Sequence, residues 1–140
     1  MNLNIALLHP AAKIPARASP IDAAYDLSAI EMQIIPPRNR ALIGTGLAIN
    51  ILPGFVGLIF PRSGLAVRNG IQIGAGVIDP GYTGEIKVLL FNNSDQPFTV
   101  NSGDRIAQML FMPRLDITFT TVDSHDHTDR GVKGFGSSGV

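Results

Sequence analysis

Ile71-Gln72-Ile73-Gly74-Ala75-Gly76-Val77-Ile78-Asp79-Pro80-Gly81-Tyr82-Thr83-Gly84 runs into Glu85-Ile86-Lys87-Val88-Leu89-Leu90-Phe91-Asn92. The first part is an apolar run rich in β-branched residues that stops at a Pro-Gly pair, and the second is another apolar run. Val and Ile are stiff at χ1 and pack well on a pleated surface, while Pro-Gly favours a reversal. The segment therefore reads as strand, tight turn and strand. The same rhythm continues outward in both directions. Strands are expected over 3–8, 27–35, 40–51, 55–60, 71–78, 84–93, 97–100, 104–112 and 115–122. Pro36-Pro37, Pro53-Gly54 and Asn101-Ser102-Gly103 supply further turn signals. A turn or two near 63–69, interrupted by Gly64 and Gly70, is the one helical stretch expected. Fifteen Gly and ten Pro suit many short strands in an all-β barrel or sandwich.

A chain of 140 residues holds one modest core. We expect a domain over 1–124 and a polar tail over 125–140, with no internal repeat. Lys+Arg and Asp+Glu both number 11, so a broad nucleic-acid footprint is not expected. Charged residues make up 16%, against roughly 25% in ordinary globular chains. So few charges leave part of the surface to be covered by copies of the same chain. With no cysteine, disulfides, thiolate metal sites and a Cys nucleophile are excluded. Met1–Leu8 is apolar but too short to span a bilayer and lacks the marks of a leader. A cytoplasmic protein without membrane attachment is the expectation.

Several short constellations carry possible chemistry. Asp79 stands where an apolar run meets the turn. An Asp before Pro-Gly is most often simply a turn former, but beside Val77 and Ile78 it would be partly desolvated. Desolvation raises a carboxyl pKa and suits a general base. Tyr82 is placed to stack under a sugar. Arg62-Ser63-Gly64 combines a forked donor, a hydroxyl and an unobstructed backbone N–H, a set suited to anions but also common in surface turns. In 103–111, Arg105 and Gln108 interrupt an otherwise buried strand. A structural Arg–carboxylate pair is as good a reading of Arg105 as ligand contact, and Gln108 is an amide donor suited to phosphate. Asp26, in Ala24-Tyr25-Asp26-Leu27, is a turn carboxylate or the orienter of a hydrated metal. His125-x-His127 with Asp126 and Asp129 reads as polar linker before it reads as a metal site. The tail, Arg130-Gly131-Val132-Lys133-Gly134-Phe135-Gly136-Ser137-Ser138-Gly139, is too polar to order itself. It nonetheless offers a ring for a base, donors for phosphate and an Arg for the outer charge.

Five segments in order carry a resemblance to the trimeric dUTP pyrophosphatase (dUTPase) family, over about residues 20–139. They are Ala24-Tyr25-Asp26-Leu27, Arg62-Ser63-Gly64-Leu65-Ala66, Gly76-Val77-Ile78-Asp79-Pro80-Gly81-Tyr82-x-Gly84, Gly103-x-Arg105-x-Ala107-Gln108 and the tail from Arg130 to Gly139. The resemblance implies a distorted jelly-roll-like β-barrel subunit in a homotrimer with three shared active sites closed by the C-terminal tail. It implies hydrolysis of dUTP to dUMP and pyrophosphate, which limits uracil in DNA and supplies dUMP for dTMP synthesis. Mg²⁺ would be held mainly by the triphosphate, with Asp26 acting through water. Asp79 would deprotonate the water that attacks the α-phosphorus. Arg62, Ser63, Gly64 and Gln108 would hold the phosphates, with Ser63 near the α–β bridge where leaving-group charge builds. Backbone groups near Ala75 and Gly76 would read uracil, with Val77 beside them and Tyr82 against the deoxyribose. Arg130 would meet the γ-phosphate, Phe135 would cover the uracil, and Gly136, Ser137 and Ser138 would donate to phosphates.

Three positions depart from the family's usual pattern. Ser138 stands where Thr is common, Ala23-Ala24 replaces a Gly-containing lead, and Ile73 stands where some members carry a base-contacting Asn. The nearest alternative is a dCTP deaminase of the same fold, which needs a Glu at the place of Leu89; leucine cannot shuttle protons. A non-catalytic nucleotide-binding trimer is the alternative from another class.

Overall fold

The structure is a computed structural model, and it describes residues 2–134. Ten strands and one short helix follow in order. They are β1 (Asn4–Leu7), β2 (Tyr25–Ser28), β3 (Gln33–Ile35), β4 (Arg40–Asn50), β5 (Phe55–Phe60), α1 (Ser63–Asn69), β6 (Ile71–Gly74), β7 (Val77–Ile78), β8 (Ile86–Asn92), β9 (Phe98–Val100) and β10 (Arg105–Pro113). Two four-stranded sheets, ordered β1-β4-β8-β6 and β2-β10-β5-β7, and a two-stranded β3-β9 ribbon make up the jelly-roll-like body. All of the paired strands are antiparallel.

Alternation along the strands builds the core. In β8, Ile86, Val88 and Leu90 point inward and are buried, and Asn92 closes the row. The Asn92 amide donates to the carbonyls of Ile35, Pro36 and Gln96, so this buried polar group has its partners. Leu27, Ile43, Leu47, Ile59, Ile106 and Met109 fill the space between the two larger sheets. Gly57 leaves room there for the Met109 methyl and the end of Ile51, both of which would have to shift if a Cβ were added.

The expected strands are found, with three differences. The 27–35 run breaks into β2 and β3 because Ala29 leaves its sheet to exchange backbone hydrogen bonds with the 103–104 turn. The 71–78 run breaks at Ala75 (φ 58°) and Gly76 (φ 110°), where the chain crosses from β6 of one sheet to β7 of the other. Residues 115–122 form no strand. Leu115, Ile117 and Phe119 are 79%, 67% and 90% exposed; this alternating segment pairs with no strand of its own chain, and among the described residues the last strand ends at Pro113. The expected helical turn is α1, stopped by Gly70 in the left-handed conformation (φ 67°), whose N–H caps the last turn. No helix among the described residues is long and apolar enough to cross a membrane.

Candidate active site

Strand register assembles the first half of the site. Gln108 of β10 lies opposite Asp26 of β2 on one side and Phe60 of β5 on the other, so the three residues form a row across the sheet. Beyond Phe60 the chain turns through Pro61 into Arg62, Ser63 and Gly64. A register shift between Arg105 and Ala107 re-aims Arg105 toward the same row, as an irregularity in an antiparallel pair can.

Asp26 is the hub. One carboxylate oxygen accepts from Arg62 Nε at 3.1 Å and the other from an Arg105 guanidinium nitrogen at 3.0 Å. Arg62 also donates to the Arg105 carbonyl at 3.1 Å. Gln108 donates its amide to the Pro61 carbonyl at 2.9 Å, which fixes the loop that carries Arg62. Within the single chain Arg105 is thus ion-paired, with about half of its side chain (52%) still exposed. Gln108 retains one amide hydrogen beyond the bond to Pro61.

These groups line a cavity of about 660 Å³ that holds Asp26, Arg62, Ser63, Gly64 and Gln108 together. Its walls also include Asp22, Arg68 and Arg105. Three arginines against two aspartates leave it net positive, as a polyphosphate requires. Sequence reading missed Arg68. Its signal was the spacing of four residues from Gly64, which puts both on one face of a helical turn.

Asp79 is elsewhere. With Val77 and Tyr82 it lines a second cavity of about 480 Å³, bounded by Leu42, Glu85, Ile86 and Lys87. β7 pairs with β5 through Leu58–Val77 and Gly57–Ile78. That register sets Asp79 about four residues along β5 from Phe60, roughly 13 Å at the usual strand rise. Asp79 is exposed, so the desolvation expected of it is not supplied by its own chain. The Tyr82 hydroxyl donates to the Glu85 carbonyl at 2.9 Å, and its ring lies over Gly84, where a Cβ would fall 2.6 Å from the hydroxyl oxygen. Glu85 in turn accepts from the Gly46 N–H at 2.9 Å, tying the hairpin to β4. At the other end, Ile59 N–H donates to the Gly76 carbonyl at 2.8 Å, and a Cβ on Gly76 would lie 2.9 Å from the Ile59 carbonyl oxygen. Ala75, beside it, holds a left-handed conformation that a non-glycine residue keeps only under constraint.

Arg130 lies on the surface, and its Nε donates to the Lys133 carbonyl at 3.3 Å within the tail. Phe135, Gly136, Ser137 and Ser138 lie outside the described residues. Among the described residues no three His, Cys, Asp or Glu side chains cluster as a metal site, the His125–Asp129 stretch included. Leu89 of β8 lies opposite Leu42 and Gly74 and packs beneath Gly74, where it offers no ionisable group.

Comparison with known proteins adds a name to this geometry. A family model described as dUTPase matches residues 11–139. The deoxyuridine 5'-triphosphate nucleotidohydrolase of Arabidopsis thaliana is 48% identical over 129 residues, covering 92% of this chain and 78% of that protein. The dUTPase of Staphylococcus bacteriophage 80alpha, solved with dUPNHPP, superposes with a TM-score of 0.91 at 30% identity, over 99% of both chains. A dUTPase variant from phage phi11 of S. aureus, described as coordinating a structural Mg(II) ion, gives 0.83 at 26% identity, over 91% of this chain and all of that one.

Proposed function

The chain belongs to the dUTPase family, and on that premise we propose that it hydrolyses dUTP to dUMP and pyrophosphate in a homotrimer. Each active site would draw on more than one copy. The observation that carries this reading is the separation of the arginine-lined cavity from the Asp79 hairpin on one chain. Neither half is a site alone, and a second copy would bring its hairpin to the first copy's phosphate cavity. Exposed Leu115, Ile117 and Phe119 fit the same reading, since a neighbouring copy would cover apolar side chains that their own chain leaves bare.

In the assembled site Asp79 accepts a proton from water as its oxygen bonds to the α-phosphorus. The bond from that phosphorus to the α–β bridging oxygen breaks on the opposite side, and pyrophosphate leaves. Arg62, Ser63, the Gly64 backbone and the remaining Gln108 N–H hold the phosphate chain in line for that displacement. Asp26 keeps both guanidinium groups in place before substrate arrives, so little reorganisation remains for the reaction. Its carboxylate is engaged by two arginines, which fits Mg²⁺ held by phosphate oxygens and water, with Asp26 at one remove. When bound, the ion supplies neutralisation of the triphosphate charge.

Uracil would be read by backbone groups of the 74–78 stretch other than the Gly76 carbonyl, which Ile59 already occupies. The Tyr82 ring, fixed through its hydroxyl, would stand where a ribose 2′-hydroxyl would need room. Arg130 would meet the γ-phosphate, with Phe135 over the base and Gly136, Ser137 and Ser138 donating to phosphates as the tail closes.

The test is pyrophosphate release in Mg²⁺ from dUTP, dCTP, dTTP and UTP in parallel, with ammonia followed in the dCTP sample. Release from dUTP alone is expected. Ammonia from dCTP would replace this reading with deamination, and silence on all four nucleotides would leave a binding protein.

A further inference from the structure

We infer that Arg68 is a substrate-contacting cation of the phosphate cavity, gripping the triphosphate beyond its α-phosphate; this rests on the function proposed above. Of the three arginines in the cavity, Arg62 and Arg105 are both committed to Asp26. Among the described residues Arg68 makes no ion pair. Its side chain folds back along α1 onto Gly64, where a Cβ would fall 2.8 Å from one guanidinium nitrogen and 3.3 Å from the other.

The empty side-chain volume of Gly64 is therefore the seat of the Arg68 guanidinium. The site gains a planar fork of donors directly above the residue expected to meet the phosphate chain, and that fork is not already paired with a carboxylate. A guanidinium so placed binds phosphate oxygens in bidentate fashion. Ser63 is expected near the α–β bridge, so a group above the next residue reaches the β- and γ-phosphates.

A cation in the last turn of a helix also favours the helix dipole, and that role would be indifferent to the ligand. The experiment separates the two. The intact protein in Mg²⁺ is titrated with dUMP and with the non-hydrolysable imido analogue of dUTP, as wild type, Arg68→Gln and Arg68→Lys. A thermal melt of each variant accompanies the titrations. We expect Arg68→Gln to weaken the imido analogue about 10- to 100-fold, the worth of a hydrogen bond to a charged group, and to leave dUMP within about twofold. Arg68→Lys keeps the charge without the fork and should fall between. An unchanged affinity for the analogue, or an equal loss for both nucleotides, would overturn the inference. A wild type that turns over dUTP while Arg68→Gln binds normally removes only the role of Arg68. A wild type inert toward dUTP removes the reading of the function itself.

Discussion

Around Asp26, polar groups find their partners within one chain: two guanidinium groups on one carboxylate, and an amide on the Pro61 carbonyl. Around Asp79 the picture reverses. The carboxylate is exposed, Val77 is 65% exposed and Leu42 56%, and apolar side chains frame a cavity open to solvent. On the function proposed above, the first region would be a preformed anion site, its ion pairs already made within one chain. The second has its backbone anchored through Gly76 and Tyr82, but its side chains face solvent, where the proposed trimer would bring a second copy. One fold thus presents a finished half and an unfinished half.

The strongest way to break this comparison is Asp79→Asn. The amide cannot accept the proton, so turnover should drop by about 10²- to 10⁴-fold, the usual range for a general base, while the imido analogue still binds. Near-native pyrophosphate release from the variant would remove Asp79 from its role and make the hairpin a mere turn. Ending the chain at Thr128 comes next. The shortened protein should sediment and melt as the full-length protein does, yet lose at least tenfold in kcat/KM; full activity, or a smaller assembly than the full-length protein in the ultracentrifuge, would count against the tail as a lid.

Asp26→Asn probes the finished half. With both ion pairs weakened and the side chains only partly buried, we expect about 1 kcal/mol of lost stability in a chemical melt, and a raised KM. Loss of stability without a KM change would make the hub purely structural. The smallest effect is expected far from both halves, at Arg38 and Asp95. The hydrogen bond from Arg38, and then its charge, hold the Asp95 carboxyl below the usual carboxylate range. Its stabilisation is therefore present above the unfolded pKa and lost as pH falls through the lower folded value. Both side chains are largely exposed, so Arg38→Ala should leave the melting temperature at pH 7 unchanged within error, with any difference from wild type disappearing in acid.

Much of this was legible in residue types and spacing. Alternation placed β4, β5, β8 and β10 because their inner faces had to be buried, and turn chemistry placed the breaks at Pro80-Gly81 and 101–103. The two ends of 71–78 looked continuous because Ile, Ala and Val carry no mark of the left-handed conformation at Ala75, which the passage between sheets imposes. The strand expected over 115–122 does not form: its alternation has no pairing partner within the chain, a fact that periodicity alone does not contain. The grouping of Asp26, Arg62 and Gln108 came from register, which motifs in sequence order only hint at. Arg68 was overlooked because a helical residue meets its neighbour four positions back, and Gly64 had been read only for its N–H.

β5 joins the two halves as a rigid beam, with Leu58 and Gly57 bonded to the hairpin strand and Phe60 leading into the arginine loop. In the proposed trimer one chain would lend its arginine loop to one site and its hairpin to another. A chain damaged at Asp79 and a chain damaged at Arg62 would then be able to complement each other. Mixed and reassembled, two inactive preparations would regain a fraction of sites built from sound halves. By the same logic a subunit damaged in one half alone would cost a mixed trimer one site of its three, whereas a subunit damaged in both halves would cost it two.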